Sequence, residues 1–160
     1  MTAIRLPTIG HCTIRGVTGE GPGAAGAAGE RPGEAEAVDA RTVYAAAGGE
    51  AAFRRIVASF YAGVAGDPVL RPLYPEDLAA SERHLALFLI QYFGGPPAYS
   101  QERGHPRLRM RHLPFPIGQR ERDAWLGHMR GAVEAEGLPA PVAAALLDYF
   151  DRAATFLMNR

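Results

Sequence analysis

An all-α domain is predicted by three features of the sequence. Apolar residues recur at helical spacing in four long segments, no stretch alternates apolar and polar residues as a strand would, and Gly and Pro punctuate the gaps. The 160 residues fit one domain. A folded body of roughly 120 residues buries about two thirds of its potential surface, enough for one core and not two.

Residues 1–41 read as a Gly/Ala-rich extension, and residues 42–160 as the folded domain. Between Gly16 and Ala40 almost no large apolar side chain occurs, so burial cannot repay the entropy of ordering the backbone and disorder is expected. A start codon set too far upstream, with the product beginning near Val38, would leave the same stretch; neither reading puts function there. Thr42 is positioned to cap a first short helical turn, which Gly48 and Gly49 interrupt. From Glu50, the residues Phe53, Ile56, Val57, Phe60, Tyr61 and Val64 share one face of a helix that Gly66 stops. Asp67 and Pro68 then read as an N-cap and first helical residue, opening only a short turn before Pro72 and Pro75.

A further helix is predicted from about Ala79 to Phe93, with Leu85, Phe88, Leu89 and Tyr92 on its buried side, ended by Gly94, Gly95, Pro96 and Pro97. The next stretch reads as irregular and polar, with room for one short helix between Pro106 and Leu113. An amphipathic helix follows over Gln119 to Glu136, marked by Ala124, Trp125, His128, Met129, Ala132 and Val133 and stopped by Gly137 and Pro139. The last, Pro141 to Met158, carries Val142, Leu146, Tyr149, Phe150, Ala153 and Leu157 on one stripe.

Arg and Lys together number 17, as do Asp and Glu, so no global field draws the chain to nucleic acid or to an anionic membrane surface. The local cluster of Arg103, Arg107, Arg109 and Arg111 suits a small anion. No run approaches the roughly 18 to 20 apolar residues of a membrane span, and no signal-peptide core stands near Met1, so the cytoplasm is the expected location. Cys12 is the single cysteine, which excludes an intrachain disulfide, a Cys-rich zinc site and an iron–sulfur cluster. His11 beside it does not make a metal site.

The long Arg- and His-rich middle segment, held by Pro106, Pro114 and Pro116, is uncommon in a plain helical bundle and points to a functional reason. His112 is its strongest candidate. It ends a short helix near Met110 and Leu113, where its ring can enter the core, either as a ligand or as a histidine satisfied by a backbone carbonyl. His105 reads as a loop residue, His84 as solvent-facing and His128 as semi-buried. No HExxH, phosphate-binding glycine loop or G-x-S-x-G elbow is present, and Glu82, Glu121 and Asp123 read as solvated charges. Tyr61 and Trp125 lie on the apolar stripes of two helices; they either fill the core or present O–H and N–H donors to something inside it.

The strings FYAGVAGDPVLRPLYPEDL from Phe60, QYFGGPPAYSQERGHPRLRMRHLPFPIG from Gln91 and RDAWLGHM from Arg122 resemble the group II truncated haemoglobins, especially the actinobacterial kind. The resemblance runs from about Val43 onward. It implies a shortened globin in which two helix pairs cross two-over-two around non-covalent haem b. By the same resemblance His112 is the proximal ligand to iron, while Tyr61, Tyr74 and Trp125 line the side where dioxygen binds. Leu85, Phe88 and Leu89 pack on the haem; Tyr99, His105 and Arg109 stand near the porphyrin edge and its propionates. One imidazole nitrogen would take the iron and the other would be fixed by a carbonyl of the prolyl segment after it, with Arg109 or Arg111 pairing the propionates. Ser81 stands where other globins keep a distal histidine. The stretch PEDLAAS is one residue short of many relatives, which loosens the register of Ser81, and Phe93 replaces a tryptophan frequent in actinobacterial members.

The function so implied is reversible binding of dioxygen and other diatomic ligands. A haem enzyme acting on nitric oxide or peroxide is the alternative; the absence of a distal carboxylate or histidine base weighs against an efficient peroxidase. A haem-free interaction domain is the reading from another class, and a filled central cavity would favour it. A reductase and a homodimer are the macromolecular partners entertained, with no nucleic acid.

Overall fold

The computed structural model describes residues 40–160, and every regular element among them is helical. The expected extension lies outside the described residues, apart from Ala40 and Arg41. These two already belong to α1 (Ala40–Ala46), so the first helix starts ahead of the expected boundary and Thr42 lies within it instead of capping it. Gly48 and Gly49, both at positive φ, turn the chain into α2 (Gly49–Gly66). The six residues assigned to its apolar stripe are all buried.

After α2 the chain turns sharply. Asp67 Oδ1 accepts the backbone N–H groups of Val69 (2.7 Å) and Leu70 (2.9 Å), and a 3₁₀ turn over Arg71–Leu73 follows, as the Asp-Pro pair predicts. Helix α3 (Ala79–Tyr92) is buried on more than one side: Ala86 to Ile90 are consecutive buried residues. Tyr92, expected inside, is 40% exposed because Tyr149, with ring centroid 4.0 Å away, occupies the interior space beside it.

The irregular stretch predicted after Pro97 contains a helix that the sequence reading lacked, α4 (Ala98–Arg103). Only Tyr99 on it is buried, so no periodic signal marks it. It is held by a side chain of α3 instead: Gln91 Nε2 donates to Ser100 Oγ (2.6 Å), and Gln91 Oε1 accepts from Ser100 N–H (2.8 Å). Helix α5 (Leu108–His112) is the short helix expected, while α6 (Gln119–Glu136) and α7 (Ala140–Leu157) match their predicted spans within a residue or so.

Helices α2 and α3 form one pair and α6 and α7 the other, joined by the broad contact of α2 on α6, which is the two-over-two arrangement. Phe53, Ile56, Phe60, Met129, Leu146 and Phe150 form the centre of the core. The α2–α6 crossing favours Gly63, because a Cβ there would come within 2.3 Å of His128 Nδ1. His128 Nε2 in turn lies 2.7 Å from Asp67 Oδ2, so one carboxylate caps the turn after α2 and ties it to α6.

Candidate functional site

Between α3, α5, α6 and α7 lies a cavity of about 170 Å³, far larger than the roughly 15 Å³ that holds one water. Its lining is mostly apolar, with Leu85, Phe88, Leu89 and Phe150 among the walls. A void of this size in an otherwise close-packed interior is a binding volume, not a packing fault.

His112 lines it from the last position of α5. Its Nδ1 lies 2.7 Å from the Leu108 carbonyl oxygen; a carbonyl only accepts, so Nδ1 carries the proton and Nε2 keeps its lone pair. Burial pushes the imidazole below its ordinary pKa, more than the Leu108 bond restores, so the ring is neutral. Its carbonyl partner is one helical turn earlier, not in the prolyl segment where it was expected. The i−4 carbonyl lies directly under the ring, and the His112 and Phe115 carbonyls of the later segment are bonded to Asn159. Met110 and Leu113, its neighbours in sequence, are each 61% exposed.

Tyr61, Tyr74 and Trp125 meet along another wall. The Tyr61 and Tyr74 rings pack edge to face with centroids 5.7 Å apart, and Phe60 bridges to Trp125 at 5.4 Å. Burial first, and then the neighbouring Tyr74 and Glu82, push the Tyr61 hydroxyl far up, against a hydrogen bond from Ser81 that lowers it. Tyr74 is pushed up to about 12 by burial, opposed by a hydrogen bond from the Trp125 indole. Both phenols therefore keep their protons. An indole N–H only donates, so the Tyr74 oxygen accepts from Trp125 and the Tyr74 hydrogen is left for a further acceptor; Tyr61 and Ser81 are two hydroxyls, either of which can donate to the other. Sequence reasoning took Tyr61 and Trp125 as the two donors; here the indole N–H is directed to the Tyr74 oxygen.

A polar end completes the site. His84, expected toward solvent, lines the cavity, and its Nε2 accepts from Arg103 at 2.9 Å. Burial, then Arg103 and Arg83, lower its pKa, so the field at this end is positive. Arg111 donates to the Tyr99 hydroxyl (3.4 Å), and Arg103 Nε is buried with no partner. Arg109 and His105 do not line the cavity. Successive residues turn by about 100° on a helix, so with Leu108 and His112 facing inward Arg109 and Arg111 fall on opposite flanks. Arg109 goes to the α7 side, 5.3 Å over the Phe156 ring, and His105 is exposed in the loop after α4. Of the ten site residues expected from sequence, the other eight line the cavity: His112, Tyr99, Leu85, Phe88, Leu89, Tyr61, Tyr74 and Trp125. Tyr149 and Arg122 join them without a sequence signal, since each reads as an ordinary helix position. The Tyr149 hydroxyl is buried without a partner.

These residues fit a haem. A flat apolar body suits a mostly apolar cavity, and at its polar end His84 and Tyr99 line the wall with Arg103 and Arg111 bonded behind them. One neutral imidazole with a free Nε2 supplies the axial ligand. Among the described residues no three His, Cys, Asp or Glu side chains cluster as a metal site, and no helix is long and apolar enough to cross a membrane.

The bacterial-like globin family matches residues 42–159. The group 2 truncated hemoglobin YjbI of Bacillus subtilis is 42% identical over 112 residues, 70% of this chain and 85% of that protein. Among solved structures, the hemoglobin of the thermophilic phototroph Chloroflexus aurantiacus is 58% identical, with a TM-score of 0.73 over 74% of this chain and 98% of its own. The thermostable hemoglobin of the actinobacterium Thermobifida fusca is 55% identical, with a TM-score of 0.72 over 73% and 96%. Similarity to a non-actinobacterial relative is thus as high as to an actinobacterial one, and the assignment stands at the level of the group. With a two-over-two helical fold and a mostly apolar cavity that His112 lines, the chain belongs to the bacterial-like globins and, within them, to the group II truncated haemoglobins.

Proposed function

We propose that the chain holds haem b through His112 Nε2 and binds dioxygen and other diatomic ligands reversibly. The observation that carries this is the state of His112: neutral, with Nδ1 committed to Leu108, in the same cavity as two phenols that keep their protons. Haem, when bound, supplies an iron that takes a diatomic ligand. The chain supplies the rest. Leu85, Phe88, Leu89 and Phe150 exclude water, and Tyr99 and His84, backed by Arg111 and Arg103, form the polar end where the propionates would lie. Tyr61 and Tyr74 present preorganised donors to a ligand that gathers negative charge. Their protons stay in place through the physiological range, so the donors do not depend on pH there. Two donors slow ligand release, which suits avid binding better than bulk storage.

The detoxifying-enzyme reading has less support. The cavity's carboxylate, Glu121, accepts the Gly118 N–H at 2.9 Å as a helix cap, and His84 is engaged by Arg103, so neither is free as a general base. The interaction-domain reading required a cavity filled by side chains, and this one is open. The test is the ultraviolet–visible spectrum of ferric, ferrous and carbon-monoxide forms beside a His112→Ala control. A Soret band that shifts on ligation and is lost or badly perturbed in the control supports the reading; a folded wild-type chain without stoichiometric haem refutes it.

A further inference from the structure

The helix that carries His112 cannot hold itself. With five residues, α5 is below the length at which helices are stable alone, and Arg107 ahead of it sits at φ 36°, a left-handed conformation adverse for a residue with a Cβ. The constraint comes from far along the chain. Asn159 Nδ2 donates to the carbonyl oxygens of His112 (3.1 Å) and Phe115 (2.9 Å), and Asn159 Oδ1 accepts the Ile117 N–H (3.1 Å). The Asn159 backbone N–H donates to the Ile117 carbonyl at 2.9 Å. Both faces of one carboxamide are thus spent on residues 112–117.

We propose that Asn159 is the positioning residue for His112. It fixes the peptide from which the imidazole hangs, while Leu108 fixes the far side of the ring at Nδ1; together they leave Nε2 one direction. The chemistry needs an asparagine. Aspartate would set a carboxylate against two carbonyl oxygens, and alanine would lose all three side-chain bonds. Because Asn159 is exposed, water replaces these bonds in a variant, so the fold survives and only the constraint is lost. The positioning role rests on the reading of His112 as the iron ligand.

The test compares the full wild-type chain with Asn159→Ala and Asn159→Asp, which keeps the acceptor for Ile117 and loses both donors. In the chain labelled with 15N-histidine and free of haem, the His112 ring nitrogens should report one Nδ1-protonated tautomer in the wild type and a mixture in both variants. In the haem-loaded ferrous protein the iron–histidine stretching band should broaden and shift, and haem loss to an apomyoglobin acceptor should rise about threefold to tenfold. Ring spectra identical to wild type overturn the proposal. So does an unchanged stretching band with altered ring spectra, since the constraint would then not reach the iron. A wild-type chain that takes up no haem defeats the haem reading, while the ring nitrogens still decide the role of Asn159.

Discussion

At the scale of single residues, the arrangement of hydrogens in the cavity makes a claim that identity alone does not. On the proposed reading Trp125 acts through Tyr74, because its indole hydrogen is directed to the Tyr74 oxygen and the Tyr74 hydrogen is what remains to be given. Stopped-flow oxygen release from Tyr74→Phe, Trp125→Phe and the double variant checks this. The two substitutions should be coupled by at least about 0.5 kcal/mol, and strict additivity would sink the relay. The eight cavity residues legible in the sequence were legible for two reasons: apolar ones fell on helical stripes, and His112 and the aromatics stood in motifs. Arg109 and His105 stand outside the cavity wall: spacing along a five-residue helix does not say which flank of it faces α4 and which faces α7, and His105 lies in the loop before it. Tyr149 stayed hidden since a stripe aromatic with an orphaned hydroxyl looks the same in sequence as one with a partner.

Among the elements, the long helices were readable to their ends because Gly66, the Gly94–Pro97 run and Gly137 punctuate them. The short ones depend on contacts made across the chain, as α4 does on Gln91, and such contacts leave no periodic trace. The turn after α2 joins both kinds. Asp67 reads locally as a cap, yet its carboxyl is held below the ordinary carboxylate range first by His128 of α6 and then by the Leu70 N–H. A carboxyl with a lower pKa in the folded state contributes stability above its unfolded pKa and loses it as pH falls through the folded one. Melting temperature against pH should therefore drop more steeply below about pH 4 in the wild type than in Asp67→Asn, and the two curves should converge in acid. Parallel curves would show that the His128 contact adds nothing to the cap.

For the molecule as a whole, the cavity divides the chain into parts that pack on protein and parts that pack on what fills the space. Helices α2, α6 and α7 share a continuous core, whereas α5 has no buried residue of its own. Haem should then stabilise by mass action. At a free concentration one hundred times its Kd, the gain is about 2.7 kcal/mol, or roughly 10 °C in Tm for a domain of this size. Calorimetry with and without haem measures it, and protection from amide exchange should rise most over residues 98–117. Equal melting curves would remove haem from the folding balance. Sequence showed that this segment wanted a reason to be ordered, but the reason is a volume, and volumes are not written in residue spacing.

The acceptor beneath the His112 ring is a peptide carbonyl, an uncharged dipole. A carboxylate in that place would draw the Nδ1 proton toward itself and make the ring a more anionic, more electron-releasing ligand. Were iron held at Nε2, Leu108 in that place would leave the ring a weaker electron donor than a carboxylate would, which would ease keeping the ferrous state. On the proposed reading, one main-chain oxygen in place of a side-chain anion suits capture and release better than oxidation.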